Sequence, residues 1–330
     1  MSEQVMLDVR NLKVIFPSAA GVVRAVEGVD LTVHQGECVA LVGESGCGKS
    51  VTSQAIMRLL ESPPALVRSD KLELNGKELS TLSSAQLQEV RGKDVSLIFQ
   101  DALTALNPVM TVGRQLDEVF LRHGCKSRRE AKANSIAVLR LVGVPSPEAR
   151  YAAFPHQLSG GMRQRVLIAM AFACDPKLII ADEPTTALDV TIQAQIIELM
   201  KSLQVNDHKS IILITHNMGL VAEMADEVCV MYMGRVMEFG SLEDIFEHPS
   251  HPYTEALLRS VPVLGLAEGQ ELETIPGITP NPADLGPGCE FAGRCPFCEE
   301  RCKQRDIPRF EVSPGHYVRC LKYDSFQEVE

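Results

Sequence analysis

The sequence predicts an α/β fold with a mostly parallel sheet covered by helices, and three observations predict it. Short apolar strand candidates alternate with helical spacing, a glycine loop leads from a strand into the first helix, and two later apolar strands end on polar or acidic residues. Strand, loop and helix in alternation require crossover connections, and crossovers within one sheet leave its strands parallel.

Leu7-Asp8-Val9, Val29 to Val33 and Cys38 to Val42 are short, rich in Val and Leu, and separated by polar turns, which makes a β-rich start. From Lys49 to Leu60 the spacing becomes helical, with Ala55, Ile56, Leu59 and Leu60 on one face. The region Val112 to Val144 is again helix-like, with a charged face at Arg128, Arg129, Glu130 and Lys132. One apolar strand ends at Asp182 and another at Thr215, and helices are predicted over Thr191 to Leu203 and Met218 to Ala225. Near Pro262 the pattern gives way to a stretch holding Pro276, Gly277, Pro280, Pro282, Gly286, Pro287 and Gly288, which places a domain boundary around residue 262. The C-terminal segment beyond that boundary is too short for a large core, so a staple is the expected device for ordering it.

Composition bounds the function. The 330 residues are 45% hydrophobic and 23% charged, the balance of an ordinary globular protein able to bury a sizeable core. A formal net charge of -11 argues against a surface built to neutralise nucleic-acid phosphates. Met1 to Arg10 lacks both a basic start and a long apolar stretch, so no signal peptide is expected. Runs such as Leu178 to Ala181 and Ile211 to Ile214 fall far short of the roughly 18 residues of a membrane span, so any membrane association is expected through a partner. In a large unsignalled chain the ten cysteines fit the cytosol better than a disulfide framework, although five of them crowd into the tail.

Gly43-Glu44-Ser45-Gly46-Cys47-Gly48-Lys49-Ser50 fits the G-x-x-x-x-G-K-[ST] phosphate loop, after a strand and before a helix as the motif requires. Its glycines let successive backbone N–H groups turn inward as an anion nest, reinforced by the positive end of the helix. Lys49 is expected on the β- and γ-phosphates and the Ser50 hydroxyl on Mg²⁺, with nucleotide contacts from Gly43 through Val51. Downstream, Leu178 to Ala181 runs into Asp182 and Glu183, and strand ends are where ligands gather in open parallel sheets. Asp182 fits the Mg²⁺ position, and Glu183 is suited to polarise or orient the attacking water.

Leu158-Ser159-Gly160-Gly161-Met162, followed by Arg163-Gln164-Arg165, stands just before a helix and resembles the signature motif of ABC ATPases. A serine hydroxyl and two glycine amides at a helix N-terminus form a second anion site. The resemblance implies that Ser159, Gly160 and Gly161 cap the γ-phosphate held by an opposite subunit. It also implies that Phe16 resembles the aromatic stacked on adenine, Gln100 after Leu97-Ile98-Phe99 the Q-loop glutamine and a Mg²⁺ contact, Ala187-Leu188-Asp189 the D-loop, and His216 the switch histidine at the γ-phosphate. The fold it implies is a P-loop NTPase (RecA-like) core with an N-terminal antiparallel β subdomain, a helical signature subdomain at about 101–160, a cassette over 1–262 and a small Cys-rich extension over 263–330. With Glu183, His216 and the signature intact, a catalytically competent ATPase using ATP and Mg²⁺ is expected.

Further segments narrow the resemblance. Phe99-Gln100-Asp101 with Leu106-Asn107-Pro108 and Met110 to Gly113, then His251-Pro252-Tyr253 to Leu258, then Ile275-Pro276-Gly277 before Cys289 and Arg294-Cys295-Pro296, look like the dipeptide, oligopeptide and nickel importer subfamily, and the text around Ser50 to Leu60 and at Ile275-Pro276-Gly277 looks like its D type. Implied partners are a related F-type cassette, two transmembrane permeases and, indirectly, a periplasmic or extracellular substrate-binding protein, with the chain peripheral on the cytoplasmic face of the inner membrane and no nucleic acid. The alternatives are a soluble ABC ATPase of DNA repair or translation, whose coiled-coil insertion or second cassette this sequence does not show, and an importer of a nickel complex or other solute.

Cys289, Cys295, Cys302 and Cys320 stand at spacings x5, x6 and x17, and Cys298 adds a local C-x2-C. Arg294, Arg301, Lys303 and Arg319 nearby are expected to favour thiolates, which bind soft metals. An iron–sulfur cluster, a structural zinc and plain reduced thiols all fit this pattern. The subfamily resemblance favours a [4Fe–4S] cluster on Cys289, Cys295, Cys302 and Cys320, with Cys298 outside that pattern.

Overall fold

The computed structural model describes residues 4–18, 21–185, 188–261, 274–282 and 285–329. The boundary expected near residue 262 and Ala187 of the D-loop lie outside the described residues. The chain forms two compact units, one from Met1–Met6, Val33–Cys38 and Asn75–Leu213, the other from Leu7–Thr32, Val39–Leu74 and Ile214–Glu330. Among the described residues no helix is long and apolar enough to cross a membrane.

In the second of these units the strand Val5–Ser18 pairs antiparallel with Lys71–Leu74, Leu7 opposite Leu74 and Val9 opposite Leu72, and with Leu66–Arg68. Gly21–His34 is its other neighbour. The first strand is longer than its alternation predicts because the buried series steps from Leu7 and Val9 to Leu12 and Val14. At this step Asn11 takes φ 48°, its N–H donating to Asp30 at 2.6 Å and its side-chain amide to Asp70 at 2.8 Å.

The same unit holds the strand Cys38–Val42, buried throughout, running parallel to Glu227–Tyr232 with Val42 opposite Val230. Arg235–Ser241 folds back antiparallel, and His316–Val318, Arg309–Ser313 and Gln327–Val329 extend the sheet in that order. The tail thus adds strands to the sheet, with Ile307, Phe310, Val318 and Leu321 as its own buried cluster. The helix after the glycine loop spans Lys49–Ile56 and stops short of the predicted Leu60. Arg58 takes φ 51°, Arg58 N–H donates to Ala55 O at 2.9 Å and Leu59 N–H to Gln54 O at 2.8 Å, the Schellman arrangement that closes a helix.

Glu238, on Arg235–Ser241, is 1% exposed and is the pin between that strand and the tail. Its carboxylate accepts from Ser250 N–H at 2.6 Å and His251 N–H at 2.9 Å, and lies 2.8 Å from His316 Nε2. Glu238→Ala would leave two backbone donors and an imidazole buried without this partner, a loss expected to cost about 3 kcal/mol of stability. Thermal unfolding checks this: the midpoint should fall clearly for Glu238→Ala and less for Glu238→Gln, which still accepts one bond.

In the other unit Val95–Ile98 runs parallel to Leu178–Asp182, in register from Val95 opposite Leu178 to Ile98 opposite Ala181. The helix-like region divides into Val112–Arg122 and Arg128–Leu141, broken at Gly124 (φ 135°) and restarted by Ser127, whose hydroxyl accepts from Glu130 N–H. Asp117 ties these helices to Pro147–Tyr151, accepting from Ser135 Oγ at 2.7 Å and Tyr151 Oη at 2.5 Å. Burial and then this bond push the Tyr151 phenol up to about 12.

Candidate nucleotide site

The phosphate loop begins where Val42 leaves the sheet beside Val230. A Cβ on Gly43 would stand 2.1 Å from Met231 O, and one on Gly48 2.5 Å from Ala25 O, with φ at 146° and 105°. Both positions therefore exclude side chains by close approach as well as by backbone conformation. The helix Lys49–Ile56 has no side-chain cap and no acidic residue in its first turn, so its N-terminal amides keep their affinity for an anion. Lys49 is 7% exposed, and its ammonium donates to Gly43 O at 2.7 Å and Glu44 O at 3.0 Å. It lies 3.4 Å from the Cys47 sulfur. Burial pushes the Cys47 thiol up against the opposing pull of Lys49. Ser45 and Gly46 are exposed and Ser50 and Val51 half-buried, and in the same unit lie half-buried Phe16 and exposed His216.

In the other unit the strand register produces a second constellation. Because Ile98 stands opposite Ala181, Gln100 and Glu183 leave adjacent strand ends together, and Gln100 Nε2 donates to Glu183 Oε2 at 3.0 Å. Glu183 takes φ 47°, uncommon for a non-glycine residue and a conformation found at functional turns. The turn is held from behind by Gln164, whose side chain donates to Pro184 O at 3.0 Å. Gln164 belongs to the helix Gly160–Phe172, which starts at Ser159, whose hydroxyl accepts from Met162 N–H at 3.3 Å. Ser159 and Gly160 are exposed and Asp182 is 5% exposed. Asp189 caps Val190–Asp207, accepting from Ile192 N–H at 3.0 Å.

All ten cysteines are free thiols. Cys289, Cys295, Cys298, Cys302 and Cys320 line one cavity, Cys298 included. Among the described residues, however, no group of three or more His, Cys, Asp or Glu side chains is placed to hold a metal ion. Arg301, Arg319 and Lys322 line that cavity too, yet burial outweighs the pull of Lys322 on the Cys295 and Cys320 thiols. Burial pushes Cys289 up to about 12 and raises Cys295, Cys298 and Cys320. The three guanidiniums are paired with carboxylates, Arg294 with Glu44, Arg319 with Asp306 at 2.8 Å and Arg301 with Glu299 at 2.7 Å, while Lys303 pulls the Cys298 thiol down against its burial.

Two residues that touch the phosphate loop carry no motif that announces the contact. Tyr253 accepts from Glu44 N–H at 2.8 Å, and Arg294 pairs with the Glu44 carboxylate. Tyr253 lies in the His251 to Leu258 segment, and the structure explains that run locally. His251 Nδ1 accepts from Tyr253 N–H at 3.0 Å and Pro252 takes the first helical position, so the helix Pro252–Arg259 starts with Tyr253 turned inward. Burial holds the His251 imidazole neutral, its pKa lowered to about 3.

Comparison with known proteins agrees with this geometry. The chain matches the family described as ABC transporter over residues 26–186, and the one described as oligopeptide/dipeptide transporter, C-terminal region, over 237–302. It is 49% identical over 314 residues to the oligopeptide transport ATP-binding protein OppD of Bacillus subtilis (strain 168), covering 95% of this chain and 88% of that one. It is 50% identical over 323 residues to the dipeptide transport ATP-binding protein DppD of the same organism, covering 98% and 96%. Among solved structures, a dimeric ATP-binding cassette, MJ0796, in a post-hydrolysis state bound to ADP and Pi matches with a TM-score of 0.64 at 26% identity, over 72% of this chain and 99% of that one. With a phosphate loop, a glutamine-paired carboxylate and a serine-capped signature helix already placed, these likenesses establish that the chain belongs to the ABC transporter family, as an ATP-binding cassette and ATPase.

Proposed function

We propose that this chain powers an importer of dipeptides or oligopeptides across the cytoplasmic membrane, as the D-type member of a pair with an F-type cassette, on the cytoplasmic face of two permease subunits that a substrate-binding protein serves. The carrying observation is near-50% identity to OppD and DppD along almost the whole chain, tail included. The cassette spans 1–262, with its helical subdomain at about 101–160, and the Cys-rich extension spans 263–330.

The roles follow the family pattern residue by residue. Phe16 stacks on adenine, the amides of the Gly43 to Val51 segment cradle the phosphates, and Lys49 neutralises the β- and γ-phosphates. Ser50, Asp182 and Gln100 hold Mg²⁺, which when bound offsets the phosphate charge. Glu183 accepts a proton from the attacking water, His216 contacts the γ-phosphate, and Ser159, Gly160 and Gly161 with Asp189 close on nucleotide held by the opposite subunit. ATP closes the pair and hydrolysis reopens it.

In the tail, Cys289, Cys295, Cys302 and Cys320 are the ligands of a [4Fe–4S] cluster in this reading. What supports it is the donor set: these thiols line one cavity, and thiolate sulfur is the ligand iron–sulfur clusters take. Loading would require the thiols to release their protons, which burial opposes at Cys289, Cys295 and Cys320, so the metal would supply that free energy.

Co-purification from membranes with a tagged chain tests both parts on one sample. The expected result is two multi-span permeases and a second cassette, with iron and a brown visible absorbance. A chain that comes alone or with nucleic-acid proteins overturns the importer reading, and a sample containing zinc or no metal overturns the cluster.

A further inference from the structure

The tail reaches into the phosphate loop through one side chain. Arg294 Nη1 and Nη2 donate to the two carboxylate oxygens of Glu44 at 2.5 and 3.0 Å, a fork-on-fork pair across 250 residues of sequence. The remaining donors are used within the tail and the sheet: Nε to Pro276 O at 2.9 Å, Nη2 to Ile275 O at 3.3 Å, and Nη1 to the Tyr232 hydroxyl at 3.2 Å. The Arg294 side chain is 6% exposed. Pairing with Glu44 is the first cause of the rise in its already high pKa. Exposed ion pairs contribute little, but this one has bidentate geometry and a buried guanidinium fixed at every nitrogen.

Glu44 is the second residue of the loop, and its amide, its carboxylate and its carbonyl are all engaged. Its N–H donates to Tyr253, its carboxylate is held by Arg294, and its carbonyl accepts from Lys49 at 3.0 Å. Beneath the grip Tyr232, Tyr253 and Phe291 pack ring on ring, with centroids 4.7 to 5.4 Å apart. The loop's entry is therefore positioned by residues of the Pro252–Arg259 helix and of the tail, and not by the loop's own sequence alone. Cys47 N–H also donates to the Glu44 carbonyl at 3.3 Å and Thr279 Oγ1 to its carboxylate at 3.5 Å, so the shorter contacts that reach Glu44 from outside the loop are those of Tyr253 and Arg294.

We infer that Arg294 is a positioning residue for ATP binding, holding Glu44 so that the phosphate loop stays open for nucleotide; the inference rests on reading Gly43 to Ser50 as that loop. The tail is in this view a working part of the nucleotide site. Arg294 immediately precedes Cys295, so the grip and the cysteine cavity share one stretch of backbone.

Equilibrium titration of the full-length chain with MgATP, alongside thermal unfolding, tests the inference. Arg294→Gln is expected to weaken ATP binding about tenfold, Glu44→Gln to do the same from the loop side, and the double variant to be no weaker than the worse single one. Arg294→Lys, which keeps the charge and loses the fork, should recover part of the affinity. A purely structural role would lower the unfolding midpoint and leave the ATP dissociation constant alone. Wild-type affinity in a folded Arg294→Gln or Glu44→Gln chain, or additive losses in the double variant, overturns the inference. A wild-type chain that does not bind MgATP overturns the loop assignment beneath it.

Discussion

Glu183→Gln should slow ATP turnover by about 10²–10⁴-fold while leaving ATP bound. The substitution is nearly isosteric, and a glutamine carbonyl can still accept the bond that Gln100 donates at 3.0 Å, so the turn at φ 47° and its support from Gln164 should survive. What disappears is a group able to take a proton from water, a contribution of about 10²–10⁴-fold for a placed general base. The measurement is single-turnover hydrolysis beside a MgATP titration on the same full-length protein. A rate drop in that range with unchanged affinity fits the base. A normal rate would reassign Glu183 to holding the turn, and a joint loss of rate and affinity would mean the substitution disturbs the strand ends.

That experiment depends on a pairing that is only half legible in the sequence. Gln100 and Glu183 each follow a readable apolar strand, but their contact is fixed by the register of Val95–Ile98 against Leu178–Asp182, and nothing local encodes register between strands some eighty residues apart. The phosphate loop and the signature helix are legible for the opposite reason. Their chemistry is set by backbone shape over eight or fewer residues, so glycine positions and a capping serine carry it directly. The first strand is underestimated at Leu7 to Val9 because Asn11 breaks the alternation that defines a strand on paper. The tail is the largest gap. Pro314-Gly315 between Arg309–Ser313 and His316–Val318 is a hairpin signal, masked by the proline- and glycine-rich run before it. Charges beside cysteines read naturally as partners for thiolates. In the folded chain Arg294 turns to Glu44 instead, because a carboxylate in fork geometry is a better match for guanidinium than a buried neutral thiol.

Lys49→Ala should remove nucleotide binding more completely than any substitution in the tail. The wild-type ammonium is buried with two of its three donors on Gly43 O and Glu44 O, which fixes a positive charge at the centre of the loop where phosphate oxygens would meet it. A charge-assisted bond from this ammonium to phosphate is the expected source of the affinity. A bond to a charged group is worth up to about 3 kcal/mol, which corresponds to about 100-fold in the dissociation constant. Arginine should not rescue. Its planar fork cannot occupy the point position between the two carbonyls, and Gly43 and Gly48 are already against Met231 O and Ala25 O, leaving the loop no slack to shift. Titration of Lys49→Ala and Lys49→Arg with MgATP against the wild type reads this directly. Retained affinity in Lys49→Ala would mean that the backbone nest and helix terminus bind the phosphates unaided. Rescue by Lys49→Arg would show a loop more pliable than its glycine contacts imply, and would weaken the case that Arg294 must hold it.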